Sequence, residues 1–380
     1  MAADKRQQGD HRRSAPAYGI PSRGLRIIVA LVLCLGMTGV VGMNTARALN
    51  VYADIFVTLS ARTLAMGGAS TALYDPSAVF INPAGLANAQ AITLLYNHSC
   101  RHFPGSQEGG RLEWDQLDGD TQALVVPLPL TTFAHGFTFD HEMGYDFRWH
   151  PEDGSLGYPR QRFCGQEDID AIAFDVGLPI AAGIGVRRST GRFKPPEDSV
   201  SKQAWFRQGE GMHIGILARV WPGLDYGQSH LKLDYEWLLL EDPGAGAGAL
   251  DVFYSDHITE RRGWALTPVG WLTLTSDQVT EDHSFHSGDK NAPVCLLGMG
   301  TVHEGDRVIE RIHSGAELSL GSLIKLRTGL YDGRRTWGAG FNLAGLWLNY
   351  TEIEDMLPQI VGDGDGYENL HFYGFQLELH

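Results

Sequence analysis

Cysteine, positive charge and long apolar runs are all scarce in this sequence. Four cysteines stand in 380 residues (Cys34, Cys100, Cys164 and Cys295), too few for a scaffold built on disulfides. Thirty Lys and Arg face 45 Asp and Glu, giving a formal net charge of −15. That balance removes the basic footprint of a nucleic-acid binder. Beyond residue 43 no run approaches the ~20 apolar residues of a helical membrane span. Enzyme signatures are missing too. No Gly-x-Ser-x-Gly occurs, and Gly227-Gln228-Ser229-His230-Leu231 lacks the closing glycine. His141-Glu142 and His303-Glu304 have no second histidine at zincin spacing. Gly244 to Ala249 mimics a dinucleotide loop, but the strand-like Leu250 to Tyr254 follows it, so it reads as a plain loop. Asp363-Gly364-Asp365-Gly366 offers too few ligands for calcium and reads as a solvated turn. Fifteen histidines are scattered; His98 and His102 near Cys100, and His283 near His286, read as loop and rim residues. The expectation is a protein that is no enzyme, with no cofactor, no metal and no nucleic-acid partner.

What is present begins with an address. Residues 1–48 carry seven basic residues against two acidic ones, then the apolar run Ile27 to Met43, then Ala46-Arg47-Ala48. Basic region, apolar run and small-x-small site together predict a signal peptide cleaved near Ala48. Cleavage leaves a mature chain of net charge −20 and three cysteines, Cys100, Cys164 and Cys295. An odd count leaves at least one unpaired in an oxidising compartment, and which ones pair stays open. Glycine is abundant at 47 residues, with no collagen-like period, and 43 % apolar content argues for a folded chain.

From residue 91 to residue 380 the dominant period is 2. Met212, Ile214, Ile216, Ala218 and Val220 oppose His213, Gly215 and Arg219. Ile172 and Phe174 oppose Ala173 and Asp175, and Ile324, Leu326 and Leu330 oppose Lys325 and Arg327. Leu231, Leu233, Tyr235, Trp237 and Leu239 alternate with Lys232, Asp234 and Glu236. On this pattern the leucines of residues 231–239 are expected to face lipid. Asp234 and Glu236 are then lumen charges with Lys232 as partner, not a glycosidase pair. Tyr235, Trp237, Trp337 and Tyr350 supply an interfacial aromatic girdle. Fourteen strands fit, with short links after the even ones (near Leu130, Pro179, 221–228, Pro268, Gly321 and Ala344). Longer polar links follow most of the odd ones, including 99–118, 241–261 and 278–310. Short turns at one end and long loops at the other is the pattern of an outer-membrane barrel. The fold class expected is all-β: a transmembrane antiparallel β-barrel of about 14 strands. Its last strand runs Tyr373, Phe375, Leu377, Leu379 and ends on His380.

Residues 49–90 lack the strand pattern. They hold Ser60-Ala61-Arg62, Met66-Gly67-Gly68-Ala69, Asp75-Pro76 and Asn82-Pro83-Ala84-Gly85-Leu86. These pieces, in this order and spacing, resemble the amino-terminal segment of FadL-type hydrophobic-compound transporters and of the related PorV-like outer-membrane proteins. The stretch Gly315 to Tyr350 also looks PorV-like. The resemblance implies that residues 49–90 form a hatch inside the barrel lumen, with Arg62, Gly67, Gly68, Ala69, Asp75, Asn82, Pro83, Ala84, Gly85 and Leu86 as its gate residues. Small side chains suit a segment packed inside a narrow lumen.

Two functions follow from that resemblance. One is passive uptake of hydrophobic small molecules, long-chain fatty-acid-like, through the outer membrane of a Gram-negative-type bacterium, gated by the hatch. The alternative is a PorV-like docking or shuttle protein for secretion or surface assembly, with secreted proteins as partners. An apolar cavity beside Asn82 would favour the first, and a packed polar interior the second.

Overall fold

The computed structural model describes residues 60–102, 116–145, 161–175, 179–194, 204–240, 249–287, 294–295, 301–302, 306–331, 333–354 and 370–379. The expected signal peptide and its cleavage site, residues 49–59 and the 363–366 turn lie outside the described residues.

Fourteen antiparallel strands close into a barrel. In chain order they are β1 (Ile92–His102), β2 (Gln116–Leu128), β3 (Thr131–Tyr145), β4 (Gln161–Asp175), β5 (Ile180–Lys194), β6 (Ala204–Trp221), β7 (Leu224–Leu240), β8 (Ala249–Val269) and β9 (Leu272–Ser287). After a separate two-stranded hairpin, β10 (Val294–Cys295) with β11 (Thr301–Val302), come β12 (Asp306–Leu320), β13 (Ile324–Tyr331), β14 (Arg334–Leu343), β15 (Leu346–Ile353) and β16 (Leu370–Leu379). Each barrel strand pairs with its chain neighbour, β9 pairs with β12, and β1 closes on β16 with Leu94 opposite Leu377. Closure leaves no open sheet edge, which a lipid environment requires. The turns at one end are tight: Leu130 at φ 67° and Ala344 at φ 51° take left-handed positions there.

Alternate residues point outward, and many of these are large and apolar: Ile92, Leu124, Phe133, Ile172, Ile184, Ile214, Leu326, Phe341, Leu348 and Phe375 are all exposed. An apolar belt of this extent belongs in hydrocarbon, not water. Trp337 stacks edge-on against Tyr350, and Tyr350 meets Tyr373, giving aromatic cover on the short strands β14–β16. No helix among the described residues is long and apolar enough to cross a membrane.

Three expectations are corrected. On β7 the faces are reversed: Leu231, Leu233 and Tyr235 are buried in the lumen, while Lys232 and Asp234 are exposed on the outer surface and pair at 2.8 Å. Parity explains this. Gly227 packs on the backbone of Thr71 and Ser229 hydrogen-bonds to Ile81, so the remaining odd-numbered residues must also face in. Tyr235 therefore leaves the expected girdle, and the Trp237 side chain lies outside the described residues. Second, β8 starts at Ala249 and β9 reaches Ser287, so much of the expected loops 241–261 and 278–310 is strand. Their outer faces are mostly polar or charged, as at Asp256, Glu260, Gln278, Thr280 and Asp282, which hides the alternation. Third, His98 is a wall residue of β1 whose ring bonds Asp120 at 3.0 Å, not a loop residue.

Candidate functional site: the hatch and its seat

Residues 60–91 fill the lumen. Ser60 caps a one-turn helix, α1 (Ala61–Ala65), its hydroxyl accepting the Thr63 N–H at 3.1 Å. The helix ends in a Schellman motif: Gly67 N–H donates to Leu64 O and Gly68 N–H to Thr63 O, each at 2.9 Å. Gly67 and Gly68 sit at φ 65° and 80°, where a side chain would be strained. A Cβ on Gly68 would also lie 2.9 Å from the Tyr331 ring. After Ala69, which is fully buried, come α2 (Ala78–Ile81) and the 3-10 helix η1 (Pro83–Asn88). Pro83 occupies the first position of η1, where a missing N–H costs nothing. Gly85 packs against Leu73 O at 2.6 Å from where a Cβ would stand, and Ala84 and Leu86 are buried.

Asn82 ties hatch to hatch and hatch to wall. Its Oδ1 accepts the Ala84 N–H at 3.2 Å, and its Nδ2 donates to Thr71 O at 2.7 Å and to Ile216 O of β6 at 3.1 Å. The residue has no exposed surface. Its surroundings are packed: Gly215 is a glycine because a Cβ there would overlap the Asn82 amide, and Gly183 meets the Pro83–Ala84 backbone in the same way.

Wall side chains from around the barrel reach in to complete this seat. Asp277 of β9 accepts three bonds, from Ser70 N–H at 2.8 Å, Thr71 N–H at 2.9 Å and the Thr71 hydroxyl at 2.7 Å. The Ile81 carbonyl accepts from Ser229 at 2.7 Å and from the His213 ring at 3.0 Å. Asn97 accepts the Ala61 N–H at 3.1 Å, while the Thr351 hydroxyl donates to Ala61 O. Thr336 accepts Gly67 N–H and donates to Ala65 O. Sequence reasoning missed these wall residues. Their signal was an isolated Asn, Asp, His or Thr at inward parity on otherwise apolar or glycine-bearing strands.

Arg62 and Asp75, thirteen residues apart, meet in one ion cluster. Arg62 pairs with Asp75 and reaches Glu317 of β12 with two nitrogens, at 3.0 and 3.2 Å. Arg327 of β13 shares that carboxylate at 2.8 Å and donates to Asn349 at 2.8 Å; Lys325 stands 3.5 Å from it. Ser77 gives Asp75 both its N–H, at 2.8 Å, and its hydroxyl, at 2.5 Å. Burial would push the Asp75 carboxyl up, but the Arg62 charge and the Ser77 bonds outweigh it and hold it below the ordinary carboxylate range. Arg62 shifts the other way and is raised: burial opposes its charge, and Glu317 and Asp75 more than restore it.

At the tight-turn end of the barrel, a cavity of about 320 Å³ opens between hatch and wall. Arg62, Tyr74, Gly85 and Leu86 of the hatch bound it on one side, and Val125, Lys325, Arg327, Trp347 and Glu378 of the wall on the other.

No protein-family model matches this chain, and no curated protein does. Solved structures do. The Ralstonia pickettii toluene transporter TbuX superposes with a TM-score of 0.57 at 13 % identity, covering 85 % of this chain and 98 % of that one. The Pseudomonas putida toluene transporter TodX gives 0.55 at 12 %, covering 85 % and 99 %. A Pseudomonas aeruginosa FadL homologue gives 0.50 at 14 %, covering 83 % and 96 %. At such identities the likeness is one of architecture, and the fourteen-stranded barrel is a fold this chain shares with FadL-type transporters.

Proposed function

We propose that this chain is an outer-membrane transporter for passive uptake of hydrophobic small molecules, with residues 60–90 as its gate. The observation that carries this reading is how the hatch is held. The hatch is joined to the wall by side-chain hydrogen bonds, an ion pair and apolar packing of Phe80, Ile81 and Leu86 against wall residues such as Ile169. None of these links belongs to the strand ladder, so the segment is able to rearrange without breaking it. The lumen also carries an apolar strip, Leu231, Leu233 and Tyr235, with the Arg207 guanidinium 4.7 Å over the Tyr235 ring. The structural relatives TbuX and TodX, described as toluene transporters, add support from fold. The gate roles of Arg62, Gly67, Gly68, Ala69, Asp75, Asn82, Pro83, Ala84, Gly85 and Leu86 are part of this proposal.

A second reading has one observation in its favour. The packing about Asn82 is dense and polar, as a permanently plugged docking or shuttle barrel for secreted proteins requires. Deleting residues 50–88 separates the two. A gate predicts an inserted barrel whose conductance in a planar bilayer rises and whose hydrocarbon uptake is no longer saturable. Unchanged conductance, or failure to insert, favours docking.

A further inference from the structure

The cavity at the tight-turn end does not suit a neutral hydrocarbon. Its wall carries three cations, Arg62, Lys325 and Arg327, and two carboxylates, Asp75 and Glu378, beside the aromatic rings of Tyr74 and Trp347 and the apolar Leu86, Val125 and Ala91. The cations are unequally matched. Arg62 and Arg327 each hold hydrogen-bonded carboxylate partners, with Glu317 shared between them. Lys325 comes third to the same Glu317, at 3.5 Å, beyond good hydrogen-bond length. Its ammonium instead lies 4.7 Å over the Trp347 ring, and its side chain keeps 25 % of its surface exposed. It is the charge in this cavity with donors to spare.

On the transporter reading above, we infer that this cavity is a binding site for a small aromatic carboxylic acid, in its anionic form, on the exit side of the hatch. The carboxylate would take the free donors of Lys325, and the ring would rest among Trp347, Leu86 and Val125. One charge is the limit, because Asp75 and Glu378 repel a second. Hatch bounds the cavity on one side and wall on the other, so a bound acid touches both. Arg62, with a fifth of its side chain exposed, is the hatch residue whose pairing such an anion would perturb.

The test is equilibrium binding to the full mature protein in detergent, followed by titration calorimetry with benzoate and, as its neutral counterpart, benzyl alcohol. Benzoate should bind saturably. Lys325→Met should weaken it by about tenfold or more, the worth of one charge-assisted hydrogen bond, and Lys325→Arg should keep most of the affinity. Benzyl alcohol should bind at least about tenfold more weakly than benzoate on the same ground. The heat-dependent gel shift of each variant reports whether the barrel is folded. Absent benzoate binding, equal binding to Lys325→Met, or equal affinity for benzyl alcohol overturns the inference. Binding needs no passage through the barrel, so the outcome is independent of the conductance test. A chain that gates but does not bind benzoate fails here alone; one that binds benzoate with an unchanged conductance after hatch deletion fails as a gate alone.

Discussion

Asp277 illustrates how single residues hold the hatch. Its Oδ2 collects three donors from Ser70 and Thr71, and the carboxyl is 1 % exposed, so its loss strands three buried groups. Each stranded group costs roughly 1–3 kcal/mol. Asp277→Ala should therefore raise the basal conductance of the barrel, whereas Gln278→Ala, one residue on and facing out, should not. Asn82→Ala removes two donated bonds and one accepted bond between neutral groups, each worth about 0.5–1.5 kcal/mol, and should open the barrel less than hatch deletion does. Asp75 adds a pH dependence. Because its folded-state carboxyl is held below the ordinary value of about 4, its contribution is fully present above that pH and is lost as pH falls toward the lowered folded value. Conductance recorded from pH 7 downward should stay flat to about pH 4 and then rise, and Asp75→Asn should remove that step.

At the scale of elements, β7 and β6 make a controlled pair. They are neighbours, with Ile214 opposite His230 and Gly211 opposite Leu233. Ile214 is 46 % exposed on the apolar belt, while Leu233 is 4 % exposed in the lumen. Arginine in place of a mid-belt aliphatic costs roughly 2–4 kcal/mol, so Ile214→Arg should lower the folded fraction on an unheated gel. Asp234→Ala should leave it unchanged, since Asp234 points outward beyond the belt and pairs with its exposed strand neighbour Lys232. The hatch elements show the converse case, in which the wall yields to the segment it encloses. Gly215→Val would drive a branched side chain into the Asn82 amide and should displace η1 while leaving the barrel inserted; the expected signs are raised conductance and an unaltered gel shift.

For the whole molecule, stability and closure are separable. The ladder of fourteen strands is complete without residues 60–91, and the lumen groups that the hatch covers would meet water on its removal, not hydrocarbon. A chain lacking residues 50–88 should thus keep its heat-dependent gel shift at a lowered thermal stability, because Leu95, Ile169, Ile353 and Phe372 lose their apolar cover, even as its conductance rises. The long strands β4–β9 carry charged outer faces beyond the belt, as in Arg188 near Glu210 at 3.5 Å and Arg262 near Glu260 at 3.3 Å. These exposed pairs add little stability, by comparison with the closed ladder.

The sequence by itself determined a count of about fourteen strands and the antiparallel plan with tight turns at one end, which are local properties read from period-2 alternation and turn residues. The segment that enters the lumen was legible through its resemblance to FadL-type amino-terminal segments. Only the tertiary structure decided which face of β7 looks inward, because an alternating strand has two faces and nothing within it names the lumen. That choice was made by Gly227 and Ser229 meeting Thr71 and Ile81, residues more than 140 positions away. The same holds for the seat. Arg62 and Asp75 were legible as parts of a motif, but their partner Glu317 lies 255 residues from Arg62, and Asp277 lies 206 residues from Thr71. A polar residue at inward parity looks identical in sequence whether it lines water or anchors a buried backbone. Barrel closure, which brings β9, β12 and β15 around one enclosed segment, is what gives each of them its partner.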